Sequence, residues 1–511
     1  MKISLLWKAP VVNPRNLKAE SIPILNPFNI YGRNFFFAWF GFFVCFLSWF
    51  AFPPLLHGML KTDLKLTAIE ISNNNICGLT GTLIGRFVLG PLNDKFGPRL
   101  TMVFVLIVGA IPTAFVPLVN NVSGLHAIRF FISFLGSSFI CCSQFCSVYF
   151  DSNIIGTANA IAAGWGNAGG GVAFFVMPAI SEGLKRNGYS LHHSWSYAFV
   201  IGPFLILMAT ALMILVFGSD CPRGKWSSRG DILGINMDNL LVKSVSVTRN
   251  FSKEGELTSV HVEPVNNGID EVVYNEGDDH EIVDVDDLIN KDEIIEDPTL
   301  MDVFKISISP RTMLVALCYL CSFGTELAIE SIISNLYGQK MKSWSTSKAG
   351  AWGSMLGLLN VVTRPAGGMI SDFLYRRFKT TKAKKFWMIF TGLMQGIFLI
   401  WIGFVPQLSI AGLIVAVCFM SMWFEMGNGA NYACVPIINK HHTGTVSGVT
   451  GAMGNLGGIL FSLVFRYTIS DGVNNYFRGF WIIGIVCVAV NAVCAFIPIR
   501  EEKPVEVETK L

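Results

Sequence analysis

Apolar residues along this chain come in blocks of about twenty, divided by short polar turns. Twelve such blocks can be drawn, at roughly 35–56, 74–92, 100–119, 125–149, 156–181, 196–217, 311–337, 349–371, 385–405, 409–436, 443–465 and 478–499. A helix of that length crosses a hydrocarbon layer ~30 Å thick. Six blocks precede a long polar segment and six follow it. The pattern predicts an all-α membrane protein of twelve transmembrane helices in two six-helix halves. The halves are 35–218 and 310–499, with an N-terminal arm over 1–34, a central loop over 219–309 and a tail over 500–511.

One block breaks the rules of soluble helices. Ala163 to Val172 reads Ala-Gly-Trp-Gly-Asn-Ala-Gly-Gly-Gly-Val. Each glycine costs a water-exposed helix about 1 kcal/mol against alanine. In a bilayer the backbone has no competing partner, so the helix persists and the glycines let a neighbour come close. Gly454-Asn455-Leu456-Gly457-Gly458 echoes Gly166-Asn167-Ala168-Gly169-Gly170 at an offset of 288 residues (454 − 166). A second echo is sharper. Arg86, Gly90 and Asp94 in the second block are matched by Arg364, Gly368 and Asp372 in the eighth, each 278 residues on. Spacings of four and eight place these residues near one helical face. Such coincidences point to an internal duplication, and duplicated halves around a central site are a transporter architecture.

Composition sharpens this reading. Of 511 residues, 52% are hydrophobic and 14% charged, against about 25% charged in soluble domains. The cysteines lie mostly inside apolar blocks and show no redox or zinc spacing, and His192-His193 reads as an exposed loop pair without a third ligand. No activated nucleophile or cofactor loop is visible, and the glycine stretch lacks the βαβ surroundings of a dinucleotide fingerprint. The expectation is no enzyme activity, no cofactor, no metal and no nucleic-acid partner. The N-terminal arm holds Lys2, Lys8, Arg15 and Lys18 with no short apolar core and cleavage site, so a cleaved signal peptide is not expected. That arm and the turns Asp94–Arg99 and Arg376–Lys385 are basic and fall on one side, which predicts cytoplasmic termini. Between Asp220 and Asp302 stand 20 Asp and Glu against seven Lys and Arg. A cytoplasmic segment of this kind is expected to be disordered. Its hydroxyls Ser244, Ser246 and Ser252, close to basic residues, are candidate kinase targets.

Arg86 and Arg364 sit mid-block. An arginine at that depth costs at least ~2.5–3.5 kcal/mol, so it marks a site or a buried ion pair. Two guanidinium forks from matching places suit a small planar oxyanion. The intramembrane acids are Glu326, Glu330 and Glu425. Each is a candidate proton carrier, or a counter-ion to an arginine such as Arg129.

Gly90-Pro91-Leu92-Asn93-Asp94-Lys95-Phe96-Gly97-Pro98-Arg99 resembles the loop signature G-x-x-x-D-(R/K)-x-G-x-R of the major facilitator superfamily, with Gly90, Asp94, Lys95, Gly97 and Arg99 at its fixed positions. Gly164-Trp165-Gly166-Asn167 to Gly171 and Gly454-Asn455-Leu456-Gly457-Gly458 resemble the paired signatures of its nitrate/nitrite porter family. Gln144-Phe145, Asn153–Gly156 and Phe323–Leu327 are similar to the eukaryotic branch, and the long central loop to fungal members. The resemblance implies high-affinity, proton-coupled nitrate uptake across a plasma membrane, with nitrate between Arg86 and Arg364. It also implies aromatic contributions from Tyr319 and Phe145 and a lining role for Asn167, Asn455, Gly166 and Gly454. Nitrate/nitrite antiport, nitrite transport, and a nitrate receptor that scarcely transports remain alternatives.

Overall fold

The computed structural model describes residues 6–13, 17–151, 154–227, 244–251, 257–264, 279–284, 300–344, 346–439, 442–470 and 473–499. Among the described residues, ten helices are long and apolar enough to cross a membrane. In chain order, with two further long helices included, they are α1 Ile30–Leu55, α2 Ala68–Phe96, α3 Pro98–Leu118, α4 Val122–Tyr149, α5 Ile155–Arg186, α6 Leu191–Phe217, α7 Pro310–Lys340, α8 Met355–Phe378, α9 Thr381–Phe404, α10 Ile410–Ile438, α11 Thr443–Tyr467 and α12 Tyr476–Cys494. The two that fall short on hydropathy are α2 and α8, the pair carrying the duplicated Arg-Gly-Asp positions. Both exceed the ~20 residues needed to span, so polarity rather than length sets them apart.

Polar residues just ahead of the apolar runs start the helices. Asn29 accepts from the Tyr31 amide at 2.9 Å, and Thr67 with Glu70 closes a capping box. The eighth block is interrupted: Thr346–Gly353 forms its own short helix before α8. Burial separates central from peripheral helices. The apolar window of α7 is 89% buried and that of α6 only 33%, its Leu205, Leu212 and Val216 facing outward. Outward apolar side chains are what a lipid solvent accepts.

Within the halves α1 packs on α5 and α7 on α11; across them α2 packs on α11 and α5 on α8. Thus α5 and α11 each serve two neighbours, which explains their glycines. A Cβ at Gly169 would lie 2.2 Å from the Phe43 carbonyl oxygen on α1, and one at Gly457 would lie 2.2 Å from that of Leu320 on α7. On their other faces, a Cβ at Gly164 would stand 2.4 Å from the Asn360 carbonyl of α8, and one at Gly448 would stand 3.0 Å from Gly90 Cα of α2. Only a side of bare backbone permits such approaches.

Further structure lies outside the bundle. The N-terminal arm is tied under the first half: the Ala19 amide donates to the Tyr149 carbonyl at 2.9 Å, and the Asp151 amide returns to Ala19 at 3.0 Å. In the central segment, Ser244–Phe251 (β1) pairs antiparallel with Leu257–Pro264 (β2) and Asp279–Asp284 (β3), in the order β2-β1-β3. Alternating valines at 245, 247, 260 and 262 supply the strand periodicity, so these stretches are not structureless. Ser244 and Ser246 fall on β1, whereas Ser252 lies outside the described residues. His192, expected to be exposed, is partly buried, its Nδ1 standing 2.8 Å from Asp63 Oδ2.

Candidate functional site

Arg86 and Arg364 come together at the middle of the bundle, each 1% exposed. Both guanidiniums pack on one ring, that of Phe323 on α7, with their central carbons 5.0 Å and 6.0 Å from its centroid. Their hydrogen bonding is unequal. Arg86 donates from Nη1 to the Gly451 carbonyl of α11 at 2.6 Å, and from Nη2 and Nε to the Gly136 carbonyl of α4 at 3.0 Å and 3.3 Å. Arg364 donates from Nη2 to the Tyr319 hydroxyl at 3.1 Å, while its Nε and Nη1 have no partner among the described residues. Buried donors without acceptors are rare and costly. Two such donors on one fork describe a place for an oxyanion.

Tyr319, which meets Arg364, is stacked on Phe323 with ring centroids 5.0 Å apart. Gly454 lies beside it: a Cβ there would meet the Tyr319 ring at 2.6 Å. The fourth-span aromatic on Arg364 is Phe139, its centroid 5.3 Å from the guanidinium carbon. Phe145, six residues further, packs toward Tyr149 instead. Six residues turn a helix by about 240°, so on the regular helix Phe139–Tyr149 the two rings leave on different faces. Gly166 faces the Phe42 ring of α1 and so serves packing.

Asn167 and Asn455 occupy duplicated positions with different company. Asn167 Nδ2 donates to Glu326 Oε1 at 3.3 Å and to Asn360 Oδ1 at 3.4 Å. Asn360 and Asn428 also donate to Glu326, at 2.7 Å and 2.5 Å. Three amides from α5, α8 and α10 therefore converge on one carboxyl group of α7. Asn455 reaches only the Gly451 carbonyl of its own helix, at 3.5 Å. Glu425 is buried, one oxygen bonded by the Thr363 hydroxyl and the other without a partner. Glu330 lines a cavity of about 540 Å³ between the halves, as do Glu326, Asn167 and Phe323.

The far end of the site from that cavity is closed by the two aspartates of the duplicated motif. Asp94 at the end of α2 accepts from the Gly444 and Thr445 amides at 2.9 Å and 2.8 Å, and from the Thr445 hydroxyl at 2.9 Å. Asp372 at the end of α8 accepts from the Thr157 amide and hydroxyl at 2.6 Å and 2.7 Å. Each carboxylate thus caps the N-terminus of a helix belonging to the other half, where the helix dipole favours negative charge. Asp372 also pairs with Lys384 at 2.8 Å, both side chains almost fully buried. Gly97 holds the turn after Asp94 at φ +84°, which favours glycine, and a Cβ there would strike Trp226 at 2.9 Å. Arg99 donates from Nη2 to the Leu215 carbonyl at 2.7 Å and lies 3.8 Å from Asp220. Lys95 places its ammonium 5.6 Å from the Phe96 ring centroid.

Sequence reading missed Phe139, Asn360, Asn428, Lys384 and the caps at Thr157 and Thr445. The caps had a signal: Gly156-Thr157 and Gly444-Thr445 are 288 residues apart, the offset of the asparagine echo.

Among proteins this chain is similar to, Nitrate transporter 2.2 of Chlamydomonas reinhardtii is 28% identical over 94% of this chain and 82% of its own length. High affinity nitrate transporter 2.5 of Arabidopsis thaliana is 29% identical over 89% of this chain and 79% of its own. These are the relatives that the paired Gly-Asn signatures lead one to expect. Elsinochrome transporter 1 of Elsinoe fawcettii is 29% identical over 97% of this chain and 98% of its own. The solved structure of a proton:xylose symporter superposes with a TM-score of 0.62 at 13% identity, covering 91% of this chain and 95% of that one, and shares the fold. A family profile matches residues 38–462. With the twelve-helix bundle, its duplicated halves and the carboxylate-capped loop in place, the chain belongs to the Major Facilitator Superfamily.

Proposed function

We propose that the protein takes up nitrate by alternating access, with the anion held between Arg86 and Arg364 and driven by protons. The observation that carries this reading is the Arg364 fork, whose Nε and Nη1 lack acceptors at the centre of the bundle. Nitrate is planar and offers paired oxygens, which a fork of this shape grips two at a time. Tyr319, Phe139 and Phe323 pack closely around the fork.

Uptake of a lone anion into a negative interior is opposed by ~2.3 kcal/mol per charge at 100 mV. More than one proton per nitrate reverses the sign. Arginine cannot release a proton, so a carboxyl group must carry it. Glu326 fits: it faces the cavity and accepts three amide hydrogen bonds, one from Asn167 across the halves. Protonation turns one acceptor oxygen into a hydroxyl donor. The carboxyl group then no longer matches three donors, and the Asn167 link loosens. In this reading the Asp94 and Asp372 caps close the cytoplasmic side, so the cavity opens outward. The setting is a plasma membrane with cytoplasmic termini.

The test is uptake by proteoliposomes holding the purified chain. The Glu326→Gln protein should exchange nitrate yet lose pH-driven accumulation. Accumulation with unchanged pH dependence would remove Glu326 from the role. Absence of nitrate transport in the wild-type protein would remove the reading altogether.

A further inference from the structure

The 540 Å³ cavity contains a third buried arginine that the central site does not use. Arg129 on α4 is 5% exposed and lines the cavity wall on the side of the first half, together with Trp49 and Asn75. Its Nη1 donates to the Trp49 carbonyl, where α1 breaks before Pro53. Its guanidinium carbon stands 5.2 Å from the centroid of the Phe52 ring, which covers one face of the fork. Nε has no acceptor, and among the described residues Arg129 forms no ion pair. The carboxylates of the same cavity, Glu326 and Glu330, belong to the opposite wall on α7, and Glu182 pairs with Arg186 on its own helix. Gly78 on α2 makes the space for the fork: a Cβ there would sit 2.8 Å from Arg129 Nε.

A structural role accounts for the Trp49 bond and for nothing else. Holding one carbonyl does not require a charge, and a buried cation without a counter-ion is expensive. A cavity with apolar walls also concentrates the field of a single charge on its contents. Phe323 lines the cavity and is also the ring beside which Arg86 and Arg364 stand. Arg129 is on the cavity wall and the central pair is not, so an anion entering the cavity meets Arg129 first.

We infer that Arg129 forms a second, outer anion site, which takes a small oxyanion from the cavity before it reaches the central pair. For nitrate as the ion, this rests on the function proposed above. The test separates the two ideas. Arg129→Lys can still bond the Trp49 carbonyl, so it should insert and melt near the wild-type temperature. Its half-saturation for nitrate should rise about tenfold with maximal rate little changed, since the loss falls on capture rather than on the central clamp. An unchanged half-saturation overturns the outer site. A second measurement uses Arg364→Gln, whose central fork is gone, in lipid nanodiscs with nitrate as the calorimetric probe. Weak one-to-one binding should remain there and vanish when Arg129→Gln is added. Absence of that binding in Arg364→Gln, or its persistence in the double variant, overturns the outer site. Wild-type nitrate affinity in Arg364→Gln alone overturns the central clamp instead.

Discussion

Arg86 and Arg364 occupy matching places on α2 and α8, yet Arg86 commits all three nitrogens to backbone carbonyls while Arg364 leaves two open. Asp94 and Asp372 cap matching helices, and Asp372 is also held by Lys384, buried beside it. The intramembrane acids Glu326, Glu330 and Glu425 all belong to the second half. Duplication therefore supplied the scaffold twice, and the neighbours that differ between copies decided the chemistry. The first half grips the second through backbone. Of the central pair, the second half carries the open donors, and it also carries the three intramembrane acids.

The largest test of this contrast is at the aspartates. Asp372→Asn leaves the Lys384 ammonium buried without its partner, which should cost about 3–5 kcal/mol in stability. Asp94→Asn weakens the charge-assisted hydrogen bonds to Gly444 and Thr445 and should cost at least about 1.5–3 kcal/mol. Melting of the two variants in detergent measures the difference, and pairing Asp372→Asn with Lys384→Met should recover much of it. Equal melting points would mean that the ion pair adds nothing.

At the arginines, Arg364→Lys should weaken nitrate binding about 100-fold, because the open fork becomes a single point donor. Arg86→Lys should weaken it about tenfold and also lower the melting temperature, since a lysine cannot hold the Gly451 and Gly136 carbonyls together. Equal losses of affinity with equal stability would restore symmetry to the pair. The smallest effect is expected at the asparagines. Asn167→Ala removes the link to Glu326 between the halves and should slow pH-driven uptake several-fold. Asn455→Ala removes one long bond within α11 and should stay within about twofold. Uptake rates at two external pH values check both.

Much of this was legible from residue order. The twelve blocks matched the helices closely, because in a bilayer a run of apolar residues has few alternatives to a helix. The 278-residue offset found both arginines and both aspartates, since spacing along a helix survives into three dimensions. Phe139 was not legible: the resemblance pointed to Phe145, and nothing in residue order marks which face of α4 meets Arg364. Lys384 was not legible either, because twelve residues and a turn separate it from Asp372. The polarity of α2 and α8 did carry information, as the two least apolar spans are the ones that carry the paired arginines.

The partners of Arg86 are carbonyl oxygens of the main chain, and that has a consequence for genetics. Every residue type provides such an oxygen, so no codon change at 136 or 451 deletes the acceptor. A Cβ at Gly451 would instead crowd Arg86 Cδ at 2.9 Å, and one at Gly136 would crowd Thr82 at 2.7 Å. An alanine scan across these positions would therefore report steric clashes and stay blind to the hydrogen bonds. Replacing the amides that follow Gly136 and Gly451 by esters weakens those carbonyls as acceptors without adding an atom that could clash. Backbone chemistry, rather than a mutant library, is the instrument that reads how the first half holds the second.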